Sequence, residues 1–201
     1  MFGLFGIFCL GFLLGSIPFA LIVSLPQGID PRKAGSGNPG ATNVARLLGK
    51  KWGVLTFLGD STKGILSLFI AYKLLPYLNA PKELVLSVAG VSAVLGHMFS
   101  VFLKFKGGKG VATTVGVFLV LVPKAMLVGL LIFVLAVGIS GFVSVGSLLM
   151  TGALPFLIMF FKYSKTYAIA AGILAVIIWF KHHSNIQRLL KGEEKTWKKK
   201  N

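Results

Sequence analysis

Four short polar stretches in an otherwise apolar chain hold the side chains able to do chemistry. The first is AGSGNPGATNVARLLG, Ala34 to Gly49. Its glycines at 35, 37 and 40 admit the positive φ angles and close backbone approach that turn successive amides toward an anion. Asn38 is a good N-cap and Pro39 a good first helical residue, so a short helix is expected to run to about Leu48 and stop at Gly49. Its positive end then faces the glycine-rich loop. Thr42 and Arg46, four apart, share one face of that helix and set a hydroxyl and a bidentate guanidinium beside the amides. Together these outline a phosphate or carboxylate site. The spacing Gly35, Gly37, Gly40 also spells the dinucleotide-binding G-x-G-x-x-G, but no strand precedes it, and Asp60, the acid at the right spacing, falls in an apolar span.

The second stretch, GHMFSVFLKFKGGKGVATT (Gly96–Thr114), places His97 at the end of a span, followed by Lys104, Lys106 and Lys109 around paired glycines. Cations on mobile backbone suit a second phosphate. KGGKG lacks the upstream glycine and the following Ser or Thr of a nucleotide-binding P-loop. The third, VSVGSLL (Val143–Leu149), offers Ser144 and Ser147, ordinary on their own at a helix start. The fourth, KHHSNIQRLLKGEE (Lys181–Glu194), puts Asn185 and Arg188 on one helical face, with His182 on the same side. Asp60 and Lys63, three apart in a span where isolated charges are expensive, are expected to pair with each other or face the bundle interior, in a structural role. Cys9 stands alone and reads as a packing residue.

The elements that position these stretches follow from composition. The chain has 201 residues, 55% of them hydrophobic, with a mean hydropathy of +0.85 and five acids against 21 Lys and Arg. That balance defines an integral membrane protein. Apolar runs at about 2–24, 53–78, 83–103, 110–123, 125–141, 143–161 and 166–180 predict an all-α polytopic fold of about seven transmembrane helices, with a short interfacial helix after the first span. The first run lacks a basic leader region and a cleavage site, and reads as a retained span. The run from Val111 to Val122 is short for a crossing and could be re-entrant. Fifteen of the 21 Lys and Arg fall on one side of this arrangement, which places the N-terminus outside and the C-terminus in the cytoplasm. The polar stretches then share the cytoplasmic face. Residues 1–194 are read as one integral membrane domain, and 195–201 as a basic tail suited to anionic lipid.

In their order along the chain, SGNPGATNVAR, GHMFSVFLKFKGGKGVAT and SVGSL, with GSIPFA in the first span and NIQRLLKGEE near the end, closely resemble the signatures of the membrane acyl-phosphate:glycerol-3-phosphate acyltransferase family, PlsY. The resemblance runs nearly the whole chain. It implies transfer of a fatty acyl group from acyl phosphate to the 1-hydroxyl of glycerol 3-phosphate, giving lysophosphatidic acid in bacterial phospholipid synthesis. It also implies a seven-helix fold in the bacterial inner membrane with its signature segments lining a cytoplasmic active site. On that basis Ser36, Gly37, Asn38, Gly40, Ala41, Thr42, Asn43 and Arg46 are expected to hold one phosphate; Lys104 and the turn Gly107, Gly108, Lys109, Gly110 the other. His97 and Ser144 orient the nucleophile, while Asn185, Arg188 and His182 close the pocket. The base is left open between His97 and the substrate's own phosphate.

The residue types suit that reaction. Two phosphates must be held together against their repulsion, which calls for several cations and amides. Acyl phosphate is a mixed anhydride with a good leaving group, so positioning supplies much of the rate. No carboxylate cluster invites a metal, and no cofactor is expected. Phe102, five residues after His97, stands near where the acyl-thioester glycerolipid acyltransferases carry an Asp four residues after their His, so a thioester donor is disfavoured. Expected partners are the two substrates, anionic membrane lipid and the soluble enzyme that makes acyl phosphate, with no nucleic acid. The competing reading is a transporter or channel for a phosphorylated or anionic solute; transport calls for polar breaks from both faces, whereas these crowd one.

Overall fold

The computed structural model describes residues 2–197, with side chains from Gly3 onward. Every regular element among them is helical. The chain gathers into two compact units, residues 1–120 and 121–201, taken here in turn.

The first unit contains α1 (Phe2–Ser16), α2 (Phe19–Ser24), α3 (Ala41–Leu48), α4 (Lys50–Leu74), α5 (Lys82–Met98) and nearly all of α6 (Val111–Leu121). Pro18 divides the first span into α1 and α2, because its ring blocks the helical hydrogen bond at that point. α1 packs along α5 through small residues. A side chain at Gly11 or Gly15 would strike Ser92 or the Ala93 carbonyl, and one at Gly96 would strike the Phe12 carbonyl. Close backbone approach of this kind is how helices associate where lipid removes the hydrophobic drive. α6 lies as tightly on α4, with Gly116 against the Ser61 backbone and Ser61 Oγ donating to the Ala112 carbonyl at 3.0 Å.

The second unit contains α7 (Pro123–Ser140), α8 (Val143–Phe160), α9 (Lys165–Lys181) and α10 (His183–Leu190). Gly141, at φ 79°, closes α7 in the left-handed conformation that a reversal into α8 requires. α8 and α9 are joined by Trp179 Nε1, which donates to the Leu148 carbonyl at 3.1 Å.

Each of the seven predicted apolar runs is helical, but among the described residues five spans, one of them α1 and α2 together, are long and apolar enough to cross a bilayer. α9 with α10, bent by 58°, forms a sixth candidate. α6 has 11 residues, about 16 Å at 1.5 Å per residue, short of a hydrocarbon core of about 30 Å. The chain is thus a multi-pass helical membrane protein, as its composition predicts.

Candidate active site

The glycine-rich loop of the first unit is built around Asn43. Its Oδ1 accepts the Ser36 amide at 2.9 Å, and its Nδ2 donates to the carbonyls of Pro31 (2.9 Å) and Ala34 (3.0 Å). Asn43 is 2% exposed, so it shapes the loop from beneath, whereas direct phosphate contact was expected of it. Gly35 and Gly37 take the predicted positive φ, at 65° and 72°. Gly40 does not: at φ −151° and ψ 165° it is extended and is itself the N-cap of α3. The helix therefore starts at Ala41, two residues after the expected Pro39, and no side chain caps it. The amides of Asn43 and Val44 both bond the Gly40 carbonyl, which leaves those of Ala41 and Thr42 outside the helical ladder. Thr42 and Arg46 share the face away from the fully buried Val44, and Arg46, in the last turn, is exposed.

Val44 couples this loop to the second stretch. It packs with Ala20, Leu21 and Leu103 in one apolar cluster, flanked by Val23, Leu48 and Trp52. Leu103 ends a single 3-10 turn, Val101–Leu103, and the next two residues, Lys104 (φ 50°) and Phe105 (φ 62°), are both left-handed. Consecutive non-glycine residues in that region store strain that the surroundings must hold, a property concentrated at functional sites. Here the Phe105 amide bonds the Ser100 carbonyl at 2.8 Å, and the Ser100 hydroxyl bonds the Ser16 carbonyl. The turn then folds back on its own helix: Gly107 N reaches Met98 O at 3.2 Å, and Gly108 N reaches His97 O at 3.1 Å. A side chain at Gly108 would run into His97 Nε2, so glycine is what lets the backbone lie against the imidazole. Gly110, at φ 85°, delivers the chain into α6.

His97 is 7% exposed, and its Nδ1 lies 3.3 Å from Asp60 Oδ1. The same oxygen takes the Lys63 ammonium at 2.9 Å, with both side chains 2% exposed. Lys63 Nζ also donates to the Ile17 carbonyl at 3.0 Å, a carbonyl at the Pro18 break. The expected Asp60–Lys63 pair is present; its contact with His97 is what the linear reading missed. The spacing held half the signal, since Asp60 and Lys63 are a helix turn apart, but His97 lies on another helix. These residues, with Ser16, Pro18, Pro39, Ser100 and Gly108, line one small, partly open recess.

In the second unit three donors converge on Glu194. Ser144 Oγ (2.9 Å) and Asn185 Nδ2 (2.6 Å) bond its Oε1, and Arg188 Nε bonds its Oε2 at 2.7 Å. Burial raises the affinity of this carboxyl for its proton, but the hydrogen bonds from Asn185, Arg188 and Ser144 outweigh it and hold Glu194 below the ordinary carboxylate range. His182 is buried beside them, and its Nδ1 lies 2.8 Å from the Ile178 carbonyl, which makes Nδ1 the donor. The expectation put Asn185 and Arg188 on one helical face and assigned Ser144 a role beside His97; it passed over Glu194, on which Ser144, Asn185 and Arg188 converge. The residues after Glu194 are also held: Thr196 Oγ1 and Trp197 N both donate to the Gly141 carbonyl, while the rest of the expected basic tail, Lys198–Asn201, lies outside the described residues. No group of three or more metal-ligating side chains occurs among the described residues.

A helical membrane protein with a polar recess ended by glycine-rich turns defines the class. Residues 5–192 match the family model described as glycerol-3-phosphate acyltransferase. The glycerol-3-phosphate acyltransferase of Desulfotalea psychrophila is 51% identical over 95% of this chain and 96% of its own length; that of Trichlorobacter lovleyi is 46% identical over 93% and 94%. The crystal structure of PlsY (YgiH), an integral membrane glycerol 3-phosphate acyltransferase in its glycerol 3-phosphate form, superposes with a TM-score of 0.89 at 36% identity, over 98% of this chain and 96% of that one. The chain belongs to the glycerol-3-phosphate acyltransferase family.

Proposed function

We infer that this protein transfers a fatty acyl group from acyl phosphate to the 1-hydroxyl of glycerol 3-phosphate, yielding lysophosphatidic acid and phosphate for bacterial phospholipid synthesis. Family membership supports the acyl acceptor. The observation that carries the site is the single recess in which Pro39, from the glycine-rich loop, meets His97 and Gly108. In the reaction a bond forms between the glycerol oxygen and the acyl carbon, the acyl carbon–phosphate oxygen bond breaks, and the hydroxyl proton ends on the released phosphate. His97 accepts the hydrogen bond of the attacking hydroxyl. Arg46, Thr42, Ser36, Asn38 and the Gly37, Gly40 and Ala41 backbone hold one phosphate, with Asn43 shaping the loop. Lys104, Lys109 and the Gly107–Gly110 turn hold the other and stabilise charge on the carbonyl oxygen. Ser144, Asn185, Arg188 and His182 form an anion-binding cluster of the second unit.

Fifteen of 21 cations on one side argue for a cytoplasmic face carrying this chemistry in the inner membrane, with the N-terminus outside and residues 1–194 as one domain. Acyl phosphate arrives from the soluble enzyme that makes it, and anionic lipid meets the basic tail. The test is purified protein given acyl phosphate and labelled glycerol 3-phosphate, with lysophosphatidic acid and phosphate released in equal amounts. Product without added acyl phosphate, or from an acyl thioester alone, refutes the donor; solute flux without product refutes the enzyme.

A further inference from the structure

Asp60 is the one acid of the first unit enclosed by its helices, and only one of its two oxygens is engaged. Oδ1 receives Lys63 Nζ and faces His97 Nδ1, while Oδ2, fully buried, accepts no hydrogen bond among the described residues. A buried carboxylate oxygen left in that state is expensive, and it persists where the arrangement serves something besides stability. If stability alone had been selected, an apolar pair at positions 60 and 63 would be at least as good.

The geometry points to Asp60 as the positioning residue of His97. This rests on the acyl-transfer reading above. A carboxylate oxygen accepts only, so the Nδ1 that faces it must carry the proton, and the neutral ring is then held with Nε2 as its basic nitrogen. Nε2 is the atom that abuts Gly108, on the wall of the recess shared with Pro39. The backbone against which the ring lies is itself held, because the Gly107 and Gly108 amides are bonded to the carbonyls of Met98 and His97. Lys63 completes the device. It is anchored on the Ile17 carbonyl at the Pro18 break and pairs with the same Asp60 oxygen that faces His97. The titratable groups that face His97 across this recess are Asp60 and Lys63 from α4. The same division of labour, in which a carboxylate sets the tautomer of a histidine that does the proton work, is general to such pairs.

The test starts from the native chain in lipid nanodiscs with ¹⁵N-labelled histidine. There are three histidines, and His97 is assigned by the signal lost in His97→Gln. Above the titration of the ring, the expected spectrum shows His97 with Nδ1 protonated and Nε2 bare. The opposite tautomer overturns the proposal without any variant of Asp60 being made. The second measurement uses Asp60→Asn combined with Lys63→Met, which leaves no unpaired charge behind. The expected result is a kcat reduced about 10- to 100-fold with KM for glycerol 3-phosphate within about twofold of native, together with loss of the Nδ1–H preference. A kcat equal to that of the native chain, or a loss confined to KM, overturns the proposal. The two readings fail separately: a native chain with the predicted tautomer that makes no lysophosphatidic acid sinks acyl transfer and leaves the Asp60–His97 pairing standing.

Discussion

Two carboxylates organise the polar parts of this molecule, and they do so by opposite means. Asp60 is buried in the apolar part of the first unit, paired with a lysine one turn along its own helix and facing a histidine from another. Glu194 lies past the last helix of the second unit and draws in Ser144 from α8 and both Asn185 and Arg188 from α10. Both oxygens of Glu194 are bonded; only one of Asp60's is. The difference separates a latch from a device. A fully satisfied carboxylate holds a chain end in place, whereas a half-satisfied one in low dielectric tolerates a penalty that stability alone would remove.

The largest effect that would break this contrast is on the first side. Lys63→Met alone leaves the Asp60 carboxylate buried without its cation and should lower stability by about 3–5 kcal/mol, read as thermal unfolding in detergent. The double variant Asp60→Asn/Lys63→Met should recover most of that loss. A single variant as stable as native would show that Asp60 is not held as an anion. Next comes Gly108→Ala, whose methyl must displace the His97 ring; turnover should fall about 100-fold with the melting temperature little changed. Native turnover in that variant would remove the imidazole from the reaction. On the second side Glu194→Gln keeps shape and loses charge, and should destabilise by about 2 kcal/mol through the weakened bonds to Arg188 and Asn185.

Much of this was legible in the chain, and the failures share a cause. The apolar runs mark every long helix because bilayer thickness imposes a length that sequence must satisfy. The positive φ at Gly35 and Gly37 and the helix stop at Gly49 follow from glycine alone. Gly40 defeated the local rule: Asn38 is the better cap by preference, but the loop is closed by Asn43 from inside the helix, and that places the N-cap two residues later. Asn43 reads as a phosphate ligand in sequence for the same reason, since its partners at Pro31 and Ala34 precede the motif or lie at its edge. The Asp60–Lys63 pair was visible because its members are a turn apart. His97, 37 positions further on, was not, and neither was Glu194 as the partner of Ser144, 50 positions before it. Pairings between elements are set by packing, which local periodicity does not encode.

The smallest predicted effect concerns acid. Glu194 is held below the ordinary carboxylate value near 4.5, so its folded form binds a proton less readily than its unfolded form. Its contribution is therefore fully present above about pH 4.5 and is lost as pH falls through the lower folded value. The difference in melting temperature between native and Glu194→Gln should be constant from pH 7 down to about pH 5 and shrink below it, as protonation makes the native side chain neutral like the amide. The Asp30–Arg32 pair serves as the control. Its carboxyl is also lowered, to about 2, mainly by the Arg32 hydrogen bond, yet the arginine side chain is 43% exposed. Screening at an exposed site reduces such a pair to little, so Arg32→Ala should leave the melting temperature unmoved at every pH. A gap for Glu194→Gln that stayed constant down to pH 3 would mean that the carboxylate's charge is irrelevant to the latch, and the contrast between the two sites would reduce to packing.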